Sequence, residues 1–254
     1  MKKLVIVFTI SLFFIACNKN DDQMTQLEPE LLKVIDKIEV KITTGSNPPS
    51  IYTTQFSYNS NKEISKLVYL FNDTMLFSYT YIYQNNVPVS SIYDFPGGGD
   101  PAYQVNYGYS NGVYASYYDT YYDTTIAFSY NEQFNQYTNI ESNNRYILNE
   151  FDDITTKYLS TFGNEYAYTY DTTKKGPLYN VVNKKWIPIL WYGISNKVTN
   201  ELSIYPITSI FDDNIAQNNP FINTYDVDGF IEKSEFSLNN GNQAYEIIYT
   251  YILL

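Results

Sequence analysis

The chain has 254 residues, a formal charge of -11, no histidine and one cysteine, Cys17. These numbers exclude Ser-His-Asp and Cys-His nucleophilic sites, zinc centres built on His or Cys, haem held by His, and any intramolecular disulfide. With 27 acidic against 16 basic residues and no basic run, no nucleic-acid contact is expected, because phosphate binding needs clustered Lys or Arg.

Residues 1–16 read as an export signal. Lys2 and Lys3 precede Leu4 to Ile15, which is apolar apart from Thr9 and Ser11, and the small Ala16 stands before Cys17. That apolar stretch is too short to cross a hydrocarbon core, which takes about 20 residues, and suits a signal segment instead. Phe14-Ile15-Ala16-Cys17 resembles a bacterial lipobox, with Phe14 where Leu is usual. The resemblance implies cleavage before Cys17, acylation of its sulfur and amine, and the membrane as a partner through that lipid. Two or more acyl chains anchor stably where one is marginal.

Asn18-Lys19-Asn20-Asp21-Asp22 is similar to the export signal of Bacteroidota surface lipoproteins, with Lys19 in place and the acids Asp21 and Asp22 one position late. It implies an outer-membrane protein on the cell surface; the periplasmic face is the alternative. Residues 17–37 are then the lipidated cysteine and a polar tether, with a short helical turn expected at Glu30-Leu31-Leu32.

Residues 38–254 read as one all-β domain. Ile38-Glu39-Val40-Lys41-Ile42 alternates apolar and polar, which predicts a strand, and Gly45-Ser46-Asn47-Pro48-Pro49 ends it. From Ile51 an aromatic alternation recurs, drawn from 29 Tyr and 15 Phe. Tyr103, Val105, Tyr107 and Tyr109 stand at period two, as do Ile126, Phe128 and Tyr130, then Tyr166, Tyr168 and Tyr170, then Tyr245, Ile247, Tyr249 and Tyr251. Period two puts these side chains on one face of each strand. Adjacent strands would stack them in cross-strand pairs of roughly 0.2–1 kcal/mol each.

Turns are expected at 59–62, 84–86, 110–112, 226–229 and 239–242, rich in Asn and Gly, which tolerate the positive φ of tight hairpins. Tyr58, Tyr83, Tyr109 and Tyr130 precede turns at spacings of 25, 26 and 21 residues, one hairpin per repeat. The expected fold is an antiparallel meander of many hairpins, a curled sheet or open barrel that buries its aromatic face. Residues 171–220, with Pro177, Trp186, Pro188, Trp191, Pro206 and Pro220, read as an irregular insertion with a short helix, covering one end of the sheet.

Tyr225-Asp226-Val227-Asp228-Gly229-Phe230-Ile231-Glu232-Lys233 resembles one unit of a YD repeat of Rhs-type proteins, and Tyr58-Asn59, Tyr109-Ser110-Asn111-Gly112 and Tyr170-Asp171 are weaker copies. With the lipobox, the chain resembles Bacteroidota surface lipoproteins of unknown function with YD-like β-repeats. That implies an all-β fold in the cell envelope and no catalytic residues.

The candidate chemistry is sparse. Asp226-x-Asp228-Gly229 starts like a calcium loop, but Ser237 stands where the closing Glu is needed, so a hairpin turn is the better reading. Asp152-Asp153 and Asp212-Asp213-Asn214 are similar acidic turns. Gly97-Gly98-Gly99 lacks the Lys and helix of a phosphate loop. Trp186, Trp191 and Tyr192 could form an aromatic platform for a sugar ring, or pack the insertion onto the sheet. No catalytic residue, metal or cofactor is assigned. The expected function is a non-catalytic binding or interaction module for a glycan or an envelope partner. A carboxylate-based glycoside hydrolase, which needs two acids about 5–9.5 Å apart, and a passive coat protein are the alternatives.

Overall fold

A computed structural model describes residues 31–99, 101–161, 163–184, 202–238 and 241–254. Period-two alternation becomes seventeen strands among the described residues. They are β1 Lys33–Thr44, β2 Ser50–Tyr58, β3 Ile64–Phe71, β4 Thr74–Gln84, β5 Val87–Asp94, β6 Tyr103–Ser110, β7 Val113–Asp119, β8 Thr124–Asn131 and β9 Gln136–Asn139. There follow β10 Arg145–Leu148, β11 Ile154–Leu159, β12 Asn164–Tyr170, β13 Ile207–Asp212, β14 Gln217–Pro220, β15 Ile222–Tyr225, β16 Ile231–Leu238 and β17 Gln243–Leu253. Strand follows strand as an antiparallel meander, and β1 pairs with both β2 and β17, closing the sheet on itself.

Two strands turn the corners of this barrel. Thr124–Ala127 of β8 pairs with β7, and Phe128–Asn131 pairs with β9. β14 and β15 are separated by Phe221 alone; β14 pairs with β13 and β15 with β16. A strand that changes partner midway is how two sheets share an edge at a corner. Curvature also comes from bulges, each an extra residue that bends its strand. Register shifts fall beside Tyr58, Tyr83, Tyr109, Tyr170 and Tyr225, all where a strand runs into a turn at the same end of the barrel. Leu32 and Leu254 meet at that end through two backbone hydrogen bonds of 3.0 Å; it is called the near end below, and the opposite one the far end.

The aromatic face points inward. Ile38, Val40, Leu67, Tyr69, Tyr79, Tyr81, Tyr114, Tyr166, Tyr168 and Ile247 are buried in one core. Charged pairs line the outer wall across β1, β16 and β17. Lys41 and Lys233 both pair with Glu246, at 3.6 and 2.9 Å, and Lys233 also pairs with Glu235 at 2.9 Å. Lys37 and Glu39 continue this band along β1.

The near end is capped by the two arms of the insertion. Gly176 and Leu178 donate backbone hydrogen bonds to Ile204 and Ser203, and Leu178, Val181, Leu202 and Ile204 are buried in the core. A Cβ on Gly176 would lie 2.8–2.9 Å from backbone atoms of Ile204 and Ser203, so this close approach requires glycine.

Three expectations are corrected in detail. Leu31-Leu32 forms no helical turn; Leu32 pairs with Leu254, and the first strand starts at Lys33. Regular structure resumes at Ile207, inside the stretch read as irregular, because β13 and β14 pair there. Residues 171–184 and 202–206 hold turns and no helix, and 185–201 lie outside the described residues.

Candidate functional site

At the far end the aromatic alternation leaves the core and reaches solvent. Rings follow one another across strands: Tyr52 to Tyr69 at 5.9 Å, Tyr69 to Phe77 at 4.9 Å, Phe77 to Tyr93 at 5.8 Å and Tyr93 to Tyr103 at 5.1 Å. The file ends on the β7–β8 turn, with Tyr103 to Tyr121 at 5.2 Å and Tyr121 to Tyr122 at 4.9 Å, edge to face. Tyr121 is 43% and Tyr122 69% exposed.

This turn is held by its own side chains. Asp119 Oδ1 accepts from the backbone N–H of Tyr121 at 3.0 Å and of Tyr122 at 3.1 Å. Thr120 Oγ1 accepts from Gln104 N at 3.1 Å and donates to Gln104 O at 2.7 Å. Burial, with the Asp119 carboxylate nearby, pushes the Tyr93 and Tyr103 phenols above their ordinary range. The Tyr118 hydroxyl donates to Asp123 at 2.7 Å, and that bond raises its pKa too. At neutral pH the rim therefore offers phenol O–H groups, ring faces and carboxylates.

The two corners open the wall at opposite ends. Where the strand passes from β13 (as β14) to β16 (as β15), a cleft of about 580 Å³ is lined by Lys41, Asn219, Phe236, Ala244, Tyr245 and Glu246, among others. Where β8 leaves β7 for β9, one of about 640 Å³ is lined by Asn111, Tyr114, Phe128, Tyr130 and Glu132, among others.

Of the residues singled out in sequence, Cys17, Lys19, Asp21, Asp22, Trp186, Trp191 and Tyr192 lie outside the described residues. The Asp226 turn is a hairpin turn: Asp226 Oδ1 accepts from Asp228 N and Phe230 N, each at 2.9 Å, while Oδ2 binds Lys33. Gly97 and Gly98 belong to a short 3-10 turn, Pro96–Gly98, and Gly99 caps it at φ 74. Among the described residues no three His, Cys, Asp or Glu side chains gather to hold a metal.

Three charged residues are buried: sequence reasoning missed Lys157 and Glu63, and read Asp153 only as part of an acidic turn. Lys157 is fully buried on the inner face of β11, beside Tyr146 and Tyr166. Glu63 accepts from Asn59 and Asn183, at 2.8 and 2.7 Å. Asp153 accepts from the backbone N–H of Ile204 at 2.6 Å and of Tyr205 at 3.0 Å, tying the cap to the β10–β11 turn. Burial pushes Asp153 up to about 7, against the pull of those two bonds and of Lys184.

No family model matches the chain, and no curated protein matches it. Among solved structures, a porin-like protein from Bacteroides uniformis is similar, with a TM-score of 0.50 at 14% identity over 86% of this chain and 98% of that one. A porin-like protein from Bacteroides vulgatus matches with a TM-score of 0.35 at 12% identity, over 86% of this chain and 99% of that one. The first of these likenesses shows the fold: an all-β, antiparallel, barrel-like sheet.

Proposed function

We propose that the chain is a lipid-anchored outer-membrane protein, without catalytic activity, whose barrel stands in water and presents its far rim to a glycan. The observation that carries the binding reading is the aromatic file ending on the exposed Tyr121 and Tyr122. Aromatic faces suit the C–H face of a pyranose, and the surrounding carboxylates and phenols suit its hydroxyls. The outer membrane enters through the lipobox-like Phe14–Cys17 and the porin-like description of the Bacteroides proteins.

The wall itself argues against a barrel sunk in lipid. Membrane-spanning barrels carry an apolar outer band, where a Lys or Arg at the midplane costs about 2–4 kcal/mol. Here Lys37, Glu39, Lys41, Glu235 and Glu246 face outward, alternating with buried Ile38, Val40 and Ile247. The chain also enters the barrel at the near end, opposite the rim. Display on the cell surface rests on Lys19, Asp21 and Asp22.

The test is retention of purified protein on insoluble polysaccharides and on cell-surface extracts. Tyr121→Ala combined with Tyr122→Ala is expected to lower retention about tenfold, with Trp186→Ala and Trp191→Ala as a separate arm. Retention unchanged by the rim variant refutes the rim. No retention on any material favours a passive coat. Cys17→Ser is expected to move the protein from the membrane pellet to the soluble fraction, and continued pelleting refutes the anchor.

A further inference from the structure

The corner between β14 and β16 has features that the rim reading does not use. Its opening of about 580 Å³ lies within the range of small-molecule pockets, about 300–1,000 Å³. Phe236 and Tyr245, two of its lining rings, stack at 4.6 Å and 10°, and Phe221 stacks on Phe236 at 4.0 Å and 17°. Asn219 lines it as well and is 1% exposed. Its Nδ2 donates to Ile210 O at 3.3 Å and to Gln217 O at 3.4 Å, but its Oδ1 has no hydrogen-bond partner among the described residues. A buried acceptor left unmade costs free energy that a donor from outside would recover.

The surroundings narrow the choice of donor. Lys41 and Lys233 balance Glu235 and Glu246 in one linked network, so the rim of the cleft favours neither an anion nor a cation. Pro220 brings no N–H to its strand edge, so a peptide strand laid along β14 would meet one donor fewer. A neutral, polyhydroxylated ligand fits: its hydroxyls can reach the network's carboxylates and, once the buried Asn219 amide turns towards the cleft, Asn219 Oδ1, while a C–H face meets Tyr245 on the side away from Phe236.

We propose that the cleft between β14 and β16 is a binding site for a neutral saccharide unit. This rests on the glycan reading above and adds to it a site in the side wall at the same end of the barrel, lined by residues other than Tyr121 and Tyr122. The experiment is titration calorimetry on the full-length protein at neutral pH with maltohexaose, cellohexaose and laminarihexaose. Hexagalacturonate and a chitosan hexamer serve as anionic and cationic comparisons. Ala244→Trp fills the cleft from an exposed wall position, and Ser237→Trp does the same if the first variant fails to melt like the wild type.

At least one neutral hexasaccharide is expected to bind, at least tenfold more weakly to the cleft-filling variant and unchanged by Tyr121→Ala with Tyr122→Ala. Binding lost in the rim variant and untouched by Ala244→Trp overturns the cleft and leaves the rim standing. Stronger binding of either charged oligosaccharide overturns the neutral assignment. No saccharide binding in any arm overturns both sites.

Discussion

Five tyrosines fasten the barrel in the same way. Tyr58, Tyr83, Tyr109, Tyr170 and Tyr251 donate their hydroxyls to the carbonyls of Ile35, Ile64, Pro88, Ile154 and Ile231, at 2.5, 2.8, 2.7, 2.5 and 2.9 Å. Each bond ties the end of one strand to the start of the strand before it at the near end, and all five tyrosines adjoin a register shift. Replacing Tyr83 by Phe keeps the ring and removes the donor. The net loss is about 0.5–1.5 kcal/mol, rising towards about 3 if the buried Ile64 carbonyl is left unmade.

For a domain of this size each kcal/mol lowers Tm by about 2–4 °C. Neighbouring ties are at least two strand spacings apart, about 9–10 Å or more, far enough for near additivity. The fivefold Tyr→Phe variant is therefore expected to melt about 5–30 °C below the wild type, followed by far-UV circular dichroism. Tyr118→Phe, which removes an exposed bond to Asp123, is the control and should leave Tm unchanged. A fivefold variant melting within about 2 °C of the wild type would show that bulges and ring packing alone hold the curvature.

Three further outcomes follow from the cap and the core. Gly176→Ala forces a methyl against the backbone of Ile204 and Ser203 and should cost about 1–3 kcal/mol, as overpacking does; a urea midpoint equal to the wild type's refutes the close approach. Asp153 is held up to about 7 by burial, so the folded state binds its proton more tightly than the unfolded chain. Its contribution is fully present below about 4 and is lost as pH rises through about 7. Asp153→Asn should flatten the dependence of the urea midpoint on pH in that window, and an unaltered slope refutes the assignment. Burial pushes Tyr137 and Tyr146 up to about 12, so their contribution is present below pH 10 and is lost as pH climbs through 12. Phenolate absorbance should show part of the 29 tyrosines titrating only with unfolding; a single titration of all of them near pH 10 refutes it.

What could be read from the residues is the part of the fold that repeats locally. Tyr245, Ile247, Tyr249 and Tyr251 alternate in the sequence and line the interior as expected. The first strand was read short because Val34 and Ile35 are both buried beside a register shift between Ile35 and Lys37, which breaks period two. Closure was not legible. It depends on pairing β1 with β17, about 200 residues away, and on partner changes at Ala127 and Phe221 that leave the local alternation intact. Lys157 misleads in the other direction, since a lysine at an inward position reads as outward until the strand on each side is known.

The same distinction separates fold from environment. Backbone pairing sets a barrel and is indifferent to what surrounds it; the identity of every second side chain decides whether the wall meets lipid or water. In this chain the aromatic set faces inward and is capped at the near end by Leu178, Val181, Leu202 and Ile204. The interior is therefore a packed core at that end, and the places left for a ligand are those where the ladder of strands ends or parts: the far rim and the corners.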